Sequence, residues 1–212
     1  YIVKNIENRA DDLIKRADLL RLNKNYKRSL ENYREASNLY LSKWEKRKYI
    51  ITQLKMAILY LRLEKLDDYT KILNEVTVIN DKEKLNFLPD ILGVKVRGLY
   101  KNGRSEDADK LIDKIIRLID SDEKKIYYTM LRAKHGKKKI SAEEVNSLKN
   151  KLSKMKKEYR SGELLNVEGL LFTSFTLSKI MFENNLYKSS IKELKFVEEL
   201  ARHNSKSLKS WQ

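Results

Sequence analysis

Side chains able to do covalent or metal chemistry are few in this sequence, and they lie apart. The 212 residues include no cysteine and only two histidines, His135 and His203. That inventory supplies no disulfide, no thiolate nucleophile and a poor set of metal ligands. The neighbouring acids Asp67-Asp68 and Glu143-Glu144 would point to different sides of a helix. They read as charges that complement helix N-termini. No glycine-rich loop runs into Lys-Ser/Thr, and no Gly-x-Ser-x-Gly occurs. His135 sits beside a lysine loop and reads as a helix C-terminal residue that interacts with the dipole. The sequence assembles no catalytic constellation and implies no cofactor and no metal, so the chain reads as non-enzymatic.

What remains is binding chemistry. The formal net charge is +16. Between Arg132 and Arg160 there are eleven Lys/Arg and three acids, which is half of that excess. Lys137, Lys138, Lys139, Lys149, Lys151, Lys154, Lys156 and Lys157 form this basic patch. Such a block could meet nucleic acid, anionic lipid or an acidic protein. It could equally solvate helix faces.

The elements that position these residues are helices. One proline and six glycines in 212 residues favour long helices joined by short turns. Apolar residues at Ile6, Ala10, Leu13, Ala17 and Leu20 give a helical stripe from Asn5 to Asn23. A returning helix is expected from Tyr26 to Leu41. Trp44 to Leu63 and Asp67 to Ile79 form the second pair. Asp81 to Phe87 reads as a connector, and Pro89 suits the start of a helix that stops at Asn102-Gly103. Ser105 is expected to cap the next helix. Ser121 can cap a helix that ends at Gly136, and Ser141-Ala-Glu-Glu144 is a capping box. The most apolar helix is expected from Glu163 to Glu183, followed by an Asn184-Asn185 turn. The tail from His203 is expected to fray, with Trp211 able to dock. Leu164 to Phe182 is interrupted by Glu168 and Lys179, so no stretch reaches the length and apolarity of a membrane span.

Two stretches repeat. Tyr26 to Leu39 reads YKRSLENYREASNL, and Tyr187 to Leu200 reads YKSSIKELKFVEEL. Ala17, Leu20, Tyr26, Ser29, Tyr33 and Ala36 recur forty residues later as Ala57, Tyr60, Leu66, Tyr69, Leu73 and Val76. The same slots hold Val96, Leu99, Ser105, Ala108, Ile112 and Ile115, then Ser174, Ser178, Met181, Tyr187, Ser190, Leu194 and Val197. A small residue lets two backbones approach, and a large one fills the space beside it.

This small-x-x-large pair, followed by a turn and a small–aromatic–small series, resembles the tetratricopeptide (TPR) repeat. The period is nearer forty than the family's usual 34, and the family's tryptophan, Gly-Asn pair and closing proline are mostly absent. Other helix-pair solenoids share the packing logic. The resemblance implies an all-α, right-handed superhelix of about five hairpins, a TPR-like α-solenoid in one domain over 1–212. The hairpins fall roughly at 5–42, 44–80, 84–120, 122–160 and 162–204.

In the resembling family, the first helices of successive repeats line a concave groove. That mapping places Ile51, Leu54, Ile58 and Leu61 in the groove, with Arg97, Tyr100 and Lys101 beyond them. Phe172, Phe175 and Phe182 follow, and Lys15, Asp18 and Arg21 come from hairpin one. The implied function is a protein-interaction scaffold that holds a peptide or amphipathic helix in a partly apolar groove. The alternative is a nucleic-acid or anionic-surface module using 132–160. The start at Tyr1 rather than Met fits a chain with its leader removed, on the periplasmic face of a bacterial cell envelope. A trimmed cytoplasmic chain is the alternative.

Overall fold

The computed structural model describes residues 2–136, 141–162 and 167–209. Among them the chain forms ten α-helices in sequential hairpins and no strand. They are α1 (Ile2–Leu22), α2 (Tyr26–Ser42), α3 (Lys46–Arg62), α4 (Leu66–Glu83), α5 (Leu88–Lys101), α6 (Ser105–Leu118), α7 (Asp122–His135), α8 (Ala142–Arg160), α9 (Val167–Glu183) and α10 (Tyr187–Lys209). No helix among the described residues is long and apolar enough to cross a membrane.

The forty-residue beat has a backbone cause. Lys24, Trp44 and Glu64 stand twenty residues apart, and each adopts φ near +60°. After each of them one residue leads into the next helix. The amide of that residue closes back on the helix before: Asn25 N donates to Leu20 O at 2.8 Å, Glu45 N to Tyr40 O at 2.9 Å, and Lys65 N to Tyr60 O at 2.9 Å. This six-to-one closure stops a helix and reverses the chain in two or three residues. Gly103 and Asn185 take the same left-handed position before α6 and α10. Helix plus turn therefore occupies twenty residues, and two of them make one repeat.

The same turn corrects one cap. Ser105 is the first residue of α6, and Arg104 fills the cap position without a side-chain bond. With the left-handed residue fixed at Gly103, only Arg104 remains between turn and helix. The Ser105 hydroxyl donates instead to His135 O at 3.4 Å. Ser121 and Ser141 do cap α7 and α8, and Ser141 completes its box with Glu144. The expected 81–87 connector is shorter, because α4 continues to Glu83. Buried Asn80 secures that turn, its Oδ1 accepting from Phe87 N at 2.7 Å. At the other end α10 runs on to Lys209 rather than ending near His203. Trp211 and the expected helix start at 163–166 lie outside the described residues.

Small residues lie where helices approach closely. Ala17, Ala57 and Ala108 are fully buried. Ser29 Oγ donates to Ala17 O at 2.8 Å, and Ser190 Oγ donates to Ser178 O at 2.8 Å. Hairpins one and five thus share one register. In hairpin two Tyr69 occupies the serine slot, and its hydroxyl donates to Val94 O of α5 at 3.1 Å. Gly98 makes room for that ring, since a Cβ there would sit 2.3 Å from Tyr69 Oη.

The helices gather into two compact units, Tyr1–Asn102 and Gly103–Gln212. In the first, Tyr33, Ile50, Leu59 and Val76 are among the fully buried side chains. In the second, Ile126, Met130, Leu152, Leu170, Leu177 and Met181 form the centre.

Candidate functional site

In the first unit the inward residues of α3 are consumed by packing. Leu54 and Leu61, mapped to a groove wall, are instead buried in the core, and Ile58 packs against it. Ten residues of α3 are buried, because α2, α4 and α5 all pack on it. Ile51 remains exposed. Arg97 and Tyr100 are half-buried. Lys101 reaches across to α3, donating to Leu61 O at 2.6 Å and pairing with Glu64 at 3.3 Å. A cation there satisfies carbonyls at the end of α3.

Two matching clasps tie α1, α2 and α3 together. Tyr33 of α2 donates to Asp18 of α1 at 2.5 Å, and Lys55 of α3 pairs with the same carboxylate at 2.6 Å. Seven residues away along each helix, Tyr40 donates to Asp11 at 2.6 Å, and Lys48 lies 3.4 Å from it. Lys55 and Lys48 also sit over the Tyr33 and Tyr40 rings at 5.8 and 5.4 Å. The Tyr40 bond and the nearby Lys48 hold the Asp11 carboxyl below its ordinary value, against desolvation that raises it. Burial, then the carboxylate partner, pushes both tyrosine hydroxyls up. The Lys48 ammonium is raised by its bond to Glu45 and then by Asp11, against desolvation that lowers it. Sequence reading missed these clasps, although Asp11/Asp18, Tyr33/Tyr40 and Lys48/Lys55 each carry the seven-residue spacing.

In the second unit the mapped positions are open. Phe175 and Phe182 are 55% and 60% exposed, two turns apart on α9. The Phe172 side chain lies outside the described residues. Phe182 meets Tyr187 edge to face at 5.2 Å between centroids. Phe175, Ile180 and Lys179 of α9 face Lys134 of α7 across a cavity of about 170 Å³. A larger cavity of about 310 Å³ lies in the first unit between α4 and α5, lined by Tyr69, Leu73, Ile91 and Gly98.

Similarity to known proteins lies in the fold. No family model matches the sequence, and no curated protein matches it. Among solved structures, a single-substitution form of nearly identical TPR-like repeats, from a Podosopora anserina protein described as a kinesin light chain, is similar at TM-score 0.50 and 12% identity. The match covers 94% of this chain and 98% of that one. A second structure of those repeats gives TM-score 0.50, 13% identity and coverages of 93% and 97%. The fold is TPR-like.

Within this TPR-like fold the basic segment is divided by its own contacts. Lys156 pairs with Glu193 at 2.6 Å and lies over the Phe196 ring at 4.0 Å. Lys149 reaches Ser189 at 3.4 Å. Both therefore bind α8 to α10 rather than facing solvent. Lys151 is half-buried, and Lys154 and Lys157 are exposed. Lys154 lies 3.8 Å from Glu158. Lys137, Lys138 and Lys139 lie outside the described residues. Arg132 bridges Asp113 at 2.9 Å and Glu144 at 2.8 Å, joining α6, α7 and α8. His135 does end α7. Desolvation, then Lys134 and Lys179, lower its basicity there. Among the described residues no three His, Cys, Asp or Glu side chains cluster to hold a metal ion.

Proposed function

We propose that the protein is a non-enzymatic protein-interaction scaffold that holds a partner peptide or amphipathic helix against the exposed face of α9. The carrying observation is the Phe175/Phe182 pair, two large apolar side chains more than half exposed on one side of a helix. Spacing of seven residues matches two turns, the repeat of an apolar stripe on a partner helix. Phe175 also borders a cavity able to receive a side chain. TPR-like folds typically serve protein–protein interaction, which agrees with this reading. A cell-envelope complex is the proposed setting.

Burying a phenylalanine fully contributes about 1.5–3 kcal/mol, so two that are already half covered contribute about 2–3 kcal/mol together. The Phe175→Ala/Phe182→Ala variant should therefore bind its partner about 30- to 150-fold more weakly. The test is affinity capture from the native cell with full-length wild-type and variant protein, reading the retained partner and its cell fraction. A partner retained equally by a variant of unchanged helicity refutes the site. Recovery away from the envelope fraction refutes the setting.

A further inference from the structure

Hairpin five carries an open copy of a surface that hairpin one keeps covered. The Ser29–Ala17 and Ser190–Ser178 bonds put the two hairpins in one register, so residues 161 apart correspond on both helices. Leu30 and Tyr33 are 6% and 0% exposed, whereas their counterparts Ile191 and Leu194 are 54% and 42% exposed. In hairpin one the covering element is α3. Gln53 of α3 donates to Ser37 at 3.1 Å, Arg34 donates to Tyr60 of α3 at 2.5 Å, and Lys55 pairs with Asp18. Among the described residues nothing plays the part of α3 on hairpin five.

Charge then says what would fit. Where hairpin one presents the Asp18 carboxylate to a lysine of the covering helix, hairpin five presents Lys179. Lys188 and Lys195 lie three residues before and four after Ile191, so they neighbour it on the α10 surface. Both are exposed, with no ion-pair partner among the described residues. Three nearby acids are already engaged: Glu183 lies 3.8 Å from Lys179, Glu193 lies 2.6 Å from Lys156, and Glu198 lies 2.6 Å from Arg202, while Glu199 is exposed four residues after Lys195. The open face is thus an apolar row, Tyr187–Ile191–Leu194, with a basic rim.

We propose that this face docks an amphipathic helix of a partner protein whose apolar stripe is bordered by acidic residues, laid on hairpin five as α3 lies on hairpin one. This surface on α10 adjoins the α9 face considered above, the Tyr187 ring meeting Phe182 at 5.2 Å. Variants at Ile191 and Leu194 test the first, and variants at Phe175 and Phe182 the second.

The probe is a fluorescent peptide of residues 44–63 with Arg47, Lys48 and Lys55 replaced by Glu, compared with the unaltered basic peptide. Binding to the full chain is followed by anisotropy. The acidic peptide should bind at least tenfold more tightly than the basic one, and the preference should shrink as salt rises. Ile191→Asp/Leu194→Asp should abolish binding while leaving helicity and Phe175/Phe182-dependent capture intact. Lys188→Glu/Lys195→Glu, which leaves the apolar row untouched, should reverse the preference between peptides. Equal binding of both peptides, or acidic binding unchanged by Ile191→Asp/Leu194→Asp, overturns the proposal. So does a wild-type dimer, seen by sedimentation, that this same variant dissociates, because the occupant is then a second copy of the chain.

Discussion

The Tyr33–Asp18–Lys55 clasp makes a prediction that can be worked through. Tyr33 is fully buried, and its hydroxyl donates to a carboxylate at 2.5 Å. Hydrogen bonds to charged groups contribute about 1.5–3 kcal/mol, so Tyr33→Phe should cost about 2 kcal/mol. Asp18→Ala removes the acceptor and leaves a buried hydroxyl unsatisfied, at about 1–3 kcal/mol. It also removes the Lys55 pair, whose two partners are each about a third exposed. Solvent screening limits that part to about 0.2–1 kcal/mol. In the double variant no hydroxyl is orphaned, so the costs should not add, and the coupling should be about 1–2 kcal/mol. Because the chain has two compact units, hydrogen exchange of α1–α3 peptides is the proper readout, not a global melt. The coupling corresponds to about a 5- to 30-fold departure from multiplicative exchange rates. Additivity within about 0.5 kcal/mol, or a silent Tyr33→Phe, would refute the clasp as a source of stability.

Gly98→Ala should loosen α4 and α5 by about 1–3 kcal/mol, less the ~1 kcal/mol by which alanine favours a helix, because its Cβ forces Tyr69 off the Val94 carbonyl. In a Tyr69→Leu background the sign should reverse, and a persisting cost in exchange protection would show that the ring is not the reason. The stability of the first unit, read by exchange protection of its helices, should also fall at both ends of the pH scale. Asp11 lies below its ordinary 3.8, so its contribution is present above that value and is lost as pH falls through the folded pKa. Tyr33, Tyr40 and Lys48 are raised, and Tyr69 is pushed up to about 12, so theirs is lost as pH climbs past about 10. Asp11→Asn should flatten the acid limb of α1–α3 exchange protection, corrected for intrinsic exchange, against pH; an unchanged acid limb would remove Asp11 from this account.

The small-residue slots made the hairpins legible, because a buried alanine or serine is required wherever two helices approach closely. Ala17, Ala57, Ala108 and Ser190 all lie at such places. Turn chemistry was less legible. Trp44 and Glu64 adopt left-handed conformations that carry no glycine signature. They are held by the helix closure behind them, at a cost of about 1 kcal/mol each.

The groove mapping failed at Leu54 and Leu61 for a different reason. Family positions assume that a first helix shows one face to solvent, but α3 packs on α2, α4 and α5 and buries ten of its seventeen residues. The unbroken apolar run from Met56 to Leu61 was the available signal, since a stretch apolar all round is a buried one. The same rule turned around identifies hairpin five. α9 is the most apolar helix, yet Phe175 and Phe182 stand in solvent, and α10 leaves Ile191 and Leu194 open beside them. A repeat unit cannot bury its own apolar face and relies on a neighbour to do so. Hairpin one has that neighbour in α3. The open residues on hairpin five are the same surface without it, so side chains that are core in one repeat are available for recognition in another.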